Sequence, residues 1–432
     1  MLGHQQLVLT VAWAAIGVVP CVARAQAGVG PAPQPLVVTR RQAMDTALAH
    51  NPQLQAALEQ VAQARARGVE NTAFPDPTLS GDITGEQSAS QPSTNTGSDI
   101  GVGLTVPFPT KFVFRHRESS ADVRVSELNA VQLRQQIASQ TAQAYDALLV
   151  AQRHRADLEQ TDSLAQAFLR KTEARFNAGS APKLDVIKAQ VDLAQAENAL
   201  LANAREVTNA RAALNRLLGR PLGAGLSPTD TLAVPAPPPP LDTLEATAQA
   251  LRPELGGLAS QRAGAAAAAA LAQEYWLPDL GLSVSKNRVE GSPPTYTTAL
   301  AITVPIFFWN HQRGEVAEAH HHERELDASY ADLQAQVDQD VRNAYATAVT
   351  ALQQAVYLRD ALVPEARRAF EIALVSYGLG GASALDVLDA RRTLLDAESQ
   401  YTDALGGAND ARADLERAVG APLDGTGAGA ER

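Results

Sequence analysis

Apolar and polar residues alternate strictly in four short stretches of the chain, which form two pairs about 200 residues apart. In the first stretch Leu79 and Ile83 fall on one side of an extended backbone, and Asp82 falls on the other. A period of two residues predicts β-strands with one apolar face. Polar, turn-rich segments separate the members of each pair, so we predict two β-hairpins, at 78–107 and 279–305.

We predict helices for most of the remaining chain, and the last helix of the first copy shows the apolar spacing of three and four residues that is typical of helices, at Leu184, Ile187 and Val191. Two long segments, 111–176 and 311–377, predict helices of about 65 residues, which at about 1.5 Å per residue extend roughly 100 Å. Rods of this length suit a spacer between two membranes better than a compact soluble domain. Shorter helices are predicted at 41–74, 184–218, 244–276 and 385–419.

The order of these segments is repeated with an offset near 200 residues. Asn-Pro-Gln-Leu at 51–54 corresponds to Arg-Pro-Glu-Leu at 252–255. The strand end Leu-Thr-Val-Pro at 104–107 corresponds to Ile-Thr-Val-Pro at 302–305. Self-similarity of this kind indicates a duplicated structural unit.

We therefore divide the chain into five segments: a signal peptide (1–27), a first copy (28–225), a proline-rich linker (226–241), a second copy (242–423) and a flexible tail (424–432). An apolar stretch followed by small residues is typical of a secretory leader. Four consecutive prolines in the linker favour an extended backbone. Cys21, the only cysteine, follows Pro20, which is a poor cleavage site for a lipoprotein, and lipidation at Cys21 stays open.

Charge and hydropathy narrow the class of protein further. The net charge of −11 is spread along the chain, which disfavours nucleic-acid binding because that requires a basic face. No segment after the leader has the roughly 18 to 20 apolar residues of a membrane-spanning helix. A membrane crossing would therefore use the strands, although two ordinary half-buried hairpins remain an alternative.

Four strands cannot close into a barrel, and an open sheet edge is not tolerated in lipid. Two chains would supply eight strands, whose barrel interior is filled by side chains, whereas three chains would supply twelve and leave a lumen. These constraints favour a homotrimer that forms a duct.

With its repeat, Asn-Pro-x-Leu opening, Thr-Val-Pro strand ends and Gly-x-x-x-x-Leu-Asp-Val turns, the sequence resembles the TolC-like outer-membrane efflux family. The resemblance implies a mainly α fold with a trimeric, twelve-stranded transmembrane β-barrel in the outer membrane of a Gram-negative bacterium. Long helices would form an α-helical barrel across the periplasm. The channel would be a passive exit duct that docks on a periplasmic adaptor and an inner-membrane pump, with an RND pump expected.

The resemblance also implies roles for the two glycine turns, which would be the periplasmic tips. The residues expected to close the entrance are Tyr377, Asp386, Asp389 and Asp185. The turn residues expected to face the adaptor are Gly179, Ser180, Gly380 and Gly381. One member of the family has an arginine where this chain has Ala382, which leaves open how the entrance would be held closed here.

Capping is the alternative role for the acidic residues, because Ser383-x-x-Asp386 has the pattern of a capping box. Asp389 lies deeper in the predicted helix and on the same side as Asp386. Threefold symmetry would turn each position into a ring of carboxylates, which favours cations.

Other candidate chemistry is weaker. His320–His322 fan out around a predicted helix, so we expect a solvated polar run and no metal site. The segment Pro305–Gly314 resembles the heavy-metal branch of the family, which favours metal cations over drugs as the exported solute.

No phosphate loop, zinc pattern or hydrolase motif is present, so we predict neither enzymatic activity nor a cofactor. A soluble periplasmic coiled-coil scaffold and a protein-secretion channel remain alternatives.

Overall fold

The computed structural model describes residues 36–88, 91–274, 276–289, 292–304 and 308–423. The predicted signal peptide with Cys21 and the predicted tail (424–432) lie outside the described residues.

Helices and strands follow one another in the same order in the two copies. The first copy contains β1 (Leu36–Val38), α1 (Arg40–His50), α2 (Pro52–Thr72), β2 (Thr78–Ser88), β3 (Gln91–Val106), α3 (Pro109–Asn177) and α4 (Lys183–Leu217). The linker and the second copy contain β4 (Leu226–Pro228), α5 (Leu241–Leu251), α6 (Pro253–Gln273), β5 (Asp279–Val289), β6 (Thr295–Thr303), α7 (Phe308–Tyr357), a π turn (Leu358–Leu362), α8 (Val363–Leu379) and α9 (Ala384–Val419).

The opening helix of each copy is broken where a single helix was expected. Asn51 and Arg252 have extended backbones, with φ/ψ of −69°/122° and −65°/122°. A proline follows each of them, and the proline ring disfavours helical geometry at the preceding residue. At the break the Asn51 side chain makes two hydrogen bonds. Its Oδ1 accepts from the Gln53 N–H at 2.8 Å, and its Nδ2 donates to the Leu217 carbonyl at 3.0 Å.

The second long helix is also interrupted, whereas α3 runs without a break for 69 residues. The π turn separates α7 from α8 and ends just before Pro364. Proline has no N–H to donate, and its ring crowds the carbonyl four residues earlier, which here belongs to Asp360 in the π turn. The sequence analysis predicted one continuous helix over 311–377, so the prediction was wrong at this interruption.

The two hairpins join into one antiparallel sheet with the strand order β2-β3-β5-β6. The inner strands pair from Gly97 opposite Val289 to Val106 opposite Leu280, so strands of both copies lie side by side. Apolar side chains such as Ile83 remain 84% exposed on the sheet. Within the described residues β2 and β6 are the open edges. None of the described helices is long and apolar enough to span a membrane.

Each copy has its own hydrophobic core where its shorter helices meet its long helix. In the first copy the core centres on Ile137, Tyr145, Leu148 and Leu214. In the second copy it centres on Leu255, Val337, Val341 and Leu415. A third cluster belongs to both copies, because it combines residues of α3 and α4 with residues of α8 and α9.

The second copy approaches α3 most closely at glycines. A Cβ on Gly406 of α9 would lie 2.6 Å from Val150 Cγ2 of α3, closer than packed side chains allow. On α6, a Cβ on Gly264 would lie 3.1 Å from Ala121 Cβ. The α9 and α6 backbones therefore sit against α3 at distances that a larger side chain at Gly406 or Gly264 would increase.

The linker is attached to the first copy before it crosses to the second. β4 pairs in parallel with β1, and the Asp230 carboxylate accepts from the Arg40 N–H at 2.6 Å and from the Tyr145 hydroxyl at 3.0 Å. Farther along, the Asn409 amide of α9 donates to the Ala233 carbonyl at 3.0 Å. These hydrogen bonds hold the linker against helices of both copies.

Candidate functional site

The two glycine turns connect the long helices to the last helix of each copy and have the same backbone geometry. We call residues 178–182 the first-copy turn and residues 380–383 the second-copy turn. Gly179 and Gly380 have φ of 73° and 82°, a left-handed conformation that glycine adopts without strain. The Ser180 N–H donates to the Arg175 carbonyl and the Gly381 N–H donates to the Ser376 carbonyl, both at 2.9 Å. Each turn is a helix C-cap of the same kind.

Asp386 caps the start of α9 together with Ser383. The Ser383 N–H donates to Asp386 Oδ2 at 2.8 Å, and the Asp386 N–H donates to Ser383 Oγ at 3.2 Å. The backbone hydrogen bond from Ser383, followed by the bond from its hydroxyl, lowers the pKa of the exposed Asp386 carboxyl below its usual value. Within one protomer Asp386 is therefore an ionised cap.

Asp389 and Asp185 lie on different helices of the protomer. Asp389 is exposed on α9 and lines a cavity of about 640 Å³ between α4 and α9. Asp185 lies in the first turn of α4 and is partly buried. Within the described part of a single chain, no hydrogen bond joins Asp185 to Tyr377, Asp386 or Asp389.

Tyr377 lies inside the protomer, between α3 and α8. Its side chain is only 2% exposed, its ring centre is 5.4 Å from that of Phe168, and its hydroxyl donates to Thr172 Oγ1 at 3.4 Å. If Tyr377 helps to close an entrance, as the resemblance implies, it would do so through the packing of α8 on α3.

Three cationic residues near the turns were not singled out from the sequence. Arg391 of α9, 9% exposed, forms an ion pair with Asp192 of α4 and donates to the Thr161 carbonyl of α3 at 3.3 Å. Burial raises the pKa of the Asp192 carboxyl, against the opposing effect of Arg391. Lys171 and Arg175 of α3 contact α8. The only sequence signal for Arg175 is a basic residue in the last turn of a helix, a common position for a C-terminal cap.

The histidine run contacts mainly its own helix, and His320 Nε2 also lies 3.4 Å from Gln273 Nε2 of α6. His320 and His322 pair with Glu323 and Glu325 at 3.4 and 3.3 Å, each three residues along the same helix. Among the described residues, no group of three or more His, Cys, Asp or Glu side chains is placed to hold a metal ion. The first three residues of the segment Pro305–Gly314 lie outside the described residues.

The geometry is that of two helical hairpins ending in paired turns below a β-sheet, and comparisons with known proteins identify the class. The family model for outer membrane efflux proteins matches the chain twice, at residues 43–220 and 245–421. The chain belongs to the outer membrane efflux protein family.

Two curated relatives share about a quarter of their residues with the chain. The cobalt-zinc-cadmium resistance protein CzcC of Cupriavidus metallidurans is 26% identical over 298 residues, which cover 67% of this chain and 68% of that protein. The pyoverdine export outer membrane protein OpmQ of Pseudomonas aeruginosa is 24% identical over 379 residues, which cover 82% of this chain and 79% of that protein.

Solved channel structures share the fold. The outer-membrane channel OprN superposes with a TM-score of 0.76 at 21% identity, over 89% of this chain and 90% of that one. CusC superposes with a TM-score of 0.75 at 19% identity, over 89% and 92%. The TolC-like fold, the outer-membrane location and the function in efflux predicted from the sequence are confirmed.

The burial of Tyr377 yields a first prediction. Tyr377→Ala should lower the free energy of unfolding by about 3 to 5 kcal/mol, because it empties a packed aromatic site. Tyr377→Phe should cost far less, because the hydrogen bond that it removes is long. Tyr357→Ala is the matched control, since Tyr357 is 67% exposed. Denaturant unfolding of the purified protein in detergent measures all three. Equal losses for Tyr377→Ala and Tyr357→Ala would contradict the buried role.

Proposed function

We propose that three copies of this chain form the passive outer-membrane exit duct of a tripartite efflux system. A periplasmic adaptor would bind the first-copy and second-copy turns, including Gly179, Ser180, Gly380 and Gly381, and an inner-membrane pump of the RND type would supply the solute. The observation that carries this proposal is the match of the efflux-protein model to both halves of a chain with this fold.

The open sheet edges support the trimer. β2 and β6 each leave one side unpaired in the described residues, and lipid does not tolerate unpaired backbone groups. Exposed apolar side chains along the strands, among them Leu79, Ile83 and Leu300, suit a surface that faces lipid. Three sheets of four strands would close a twelve-stranded barrel wide enough for a lumen.

The purified protein in detergent should therefore have the mass of three chains. It should also form channels in a planar bilayer, because the barrel and the helices would enclose one continuous path. A monomer that is stable in detergent with its strands intact would contradict the barrel. A trimer that does not conduct would contradict the duct.

We further propose metal cations as the solute class. The relative named for cobalt, zinc and cadmium resistance and the sequence of Pro305–Gly314 both support this class. The relatives named for pyoverdine export favour a larger organic solute as the second candidate.

Deletion of the gene in the bacterium that carries it distinguishes the two solute classes. We expect growth inhibition at lower concentrations of cobalt, zinc or cadmium salts, and restoration by the wild-type chain, because the exported ion has no other exit. Unchanged metal sensitivity with a siderophore retained in the periplasm would support the second candidate instead.

The entrance would be formed by Asp386 and Asp389, which lie three residues apart on α9 directly after the second-copy turn. In a trimer each position becomes a ring of three carboxylates, which attracts cations and repels anions. Asp185 and Tyr377 would support the entrance without forming its ring, Asp185 from α4 and Tyr377 from the core between α3 and α8. Ala382 provides no cation at the turn itself.

The double variant Asp386→Asn/Asp389→Asn should lose the cation preference of the bilayer conductance and its block by divalent cations added from the periplasmic side. The helix should survive, because Ser383 remains as the cap. Glu371→Gln, which removes one exposed charge from α8, is the control and should keep both properties. If selectivity and block are unchanged while the melting temperature falls, the two aspartates are only caps.

A further inference from the structure

The two turns have the same backbone but their preceding helices are capped differently. The last turn of α3 is capped within the first copy, because Ser180 Oγ donates to the Arg175 carbonyl at 3.0 Å. The last turns of α8 have the backbone cap of their own turn and also receive side-chain donors from the first copy. Lys171 Nζ donates to the Leu374 carbonyl at 3.4 Å, and Arg175 Nη1 donates to the Tyr377 carbonyl.

Arg175 contacts the first-copy turn and the end of α8 at the same time. While Nη1 binds the Tyr377 carbonyl, Nη2 donates to the Ser180 carbonyl of the first-copy turn at 3.3 Å. The guanidinium carbon also lies 4.4 Å from the centre of the Tyr377 ring, a favourable cation–π distance. A planar guanidinium can make all three contacts, whereas a lysine ammonium lacks the fork to bind two carbonyls in fixed directions.

Lys171 adds a second contact one turn earlier on α3. A Cβ on Gly378 would lie 2.9 Å from Lys171 Nζ, so the ammonium occupies the space that this glycine leaves free. Both cations therefore lie against the C-terminal end of α8, where the helix dipole and the carbonyls without helical partners favour positive charge.

The second copy offers no equivalent contact in return. When the turns are aligned on their glycines and Leu-Asp-Val, Ser376 takes the place of Arg175 and Ile372 takes the place of Lys171. The end of α8 thus receives side-chain donors from cations of the first copy in addition to its own backbone cap, whereas the end of α3 receives its side-chain donor from Ser180 of its own turn.

We infer that Arg175, assisted by Lys171, is a positioning residue that holds the second-copy turn and the end of α8 against the first copy. It thereby sets the place where α9 begins, and with it Asp386 and Asp389. The consequence for conduction rests on the proposed function, whereas the positioning itself does not.

Hydrogen exchange of the full-length protein in detergent, measured by mass spectrometry, tests the positioning. Arg175→Ala should speed exchange of the amides in 374–384 by roughly tenfold, since a charge-assisted hydrogen bond across the two copies is lost. Arg175→Lys should increase the exchange rate less, because it keeps the positive charge but loses the two guanidinium nitrogens that bind two carbonyls. Arg170→Ala removes the same charge from an exposed position on α3 and should leave exchange unchanged.

Exchange that rises only in 174–184, or in neither segment, would overturn the inference, because Arg175 would then cap only its own helix.

Conductance in a planar bilayer provides the second readout. Arg175→Ala should raise the conductance several-fold over wild type and Arg170→Ala, and Arg175→Lys should restore it in part. Faster exchange in 374–384 with unchanged conductance supports the positioning and contradicts an entrance at this turn. A wild-type protein that does not conduct contradicts the proposed function alone, and the exchange result still decides the role of Arg175.

Discussion

The packing of the second copy on the long helix α3 is the constraint on which the rest of the protomer depends. α3 lies against α4 of its own copy and against α6 and α9 of the other. At Gly264 and Gly406 the second copy has no side chain, which lets α6 and α9 approach Ala121 and Val150 of α3. Because interiors are close-packed, these contacts determine where the α8–α9 hairpin can lie.

The position of the two glycine turns follows from the same constraint. Phe168 of α3 and Tyr377 of α8 share one buried cluster, so the second-copy hairpin has no separate core there. Polar contacts between the copies fix the relative orientation of the packed helices: Arg391 binds Asp192, and Arg175 binds the carbonyl of Tyr377. Arg391 and Arg175 are therefore polar links between the two helical hairpins.

Much of the fold could be predicted because its signals are local. Alternation at Leu79–Ile83 and the capping box at Ser383 depend on neighbours within a few residues, and both features are present in the structure. The breaks at Asn51 and Arg252 also had a local signal in the prolines that follow them, although one continuous helix was predicted at each place. The π turn before Pro364 was missed in the same way. Apolar periodicity reports which face is buried, not whether every backbone hydrogen bond is made.

By itself the sequence determined the duplicated unit, the helical and strand segments, the two glycine turns and, through their order, the efflux family. These properties follow from residues close in sequence, or from a period that the chain shows twice. Only the tertiary structure decided that β3 pairs with β5, that Tyr377 is buried, and that Arg175 reaches the end of α8. Those contacts join residues about 180 to 200 positions apart. Their geometry depends on how closely two helices approach, which a pattern of residue types does not specify.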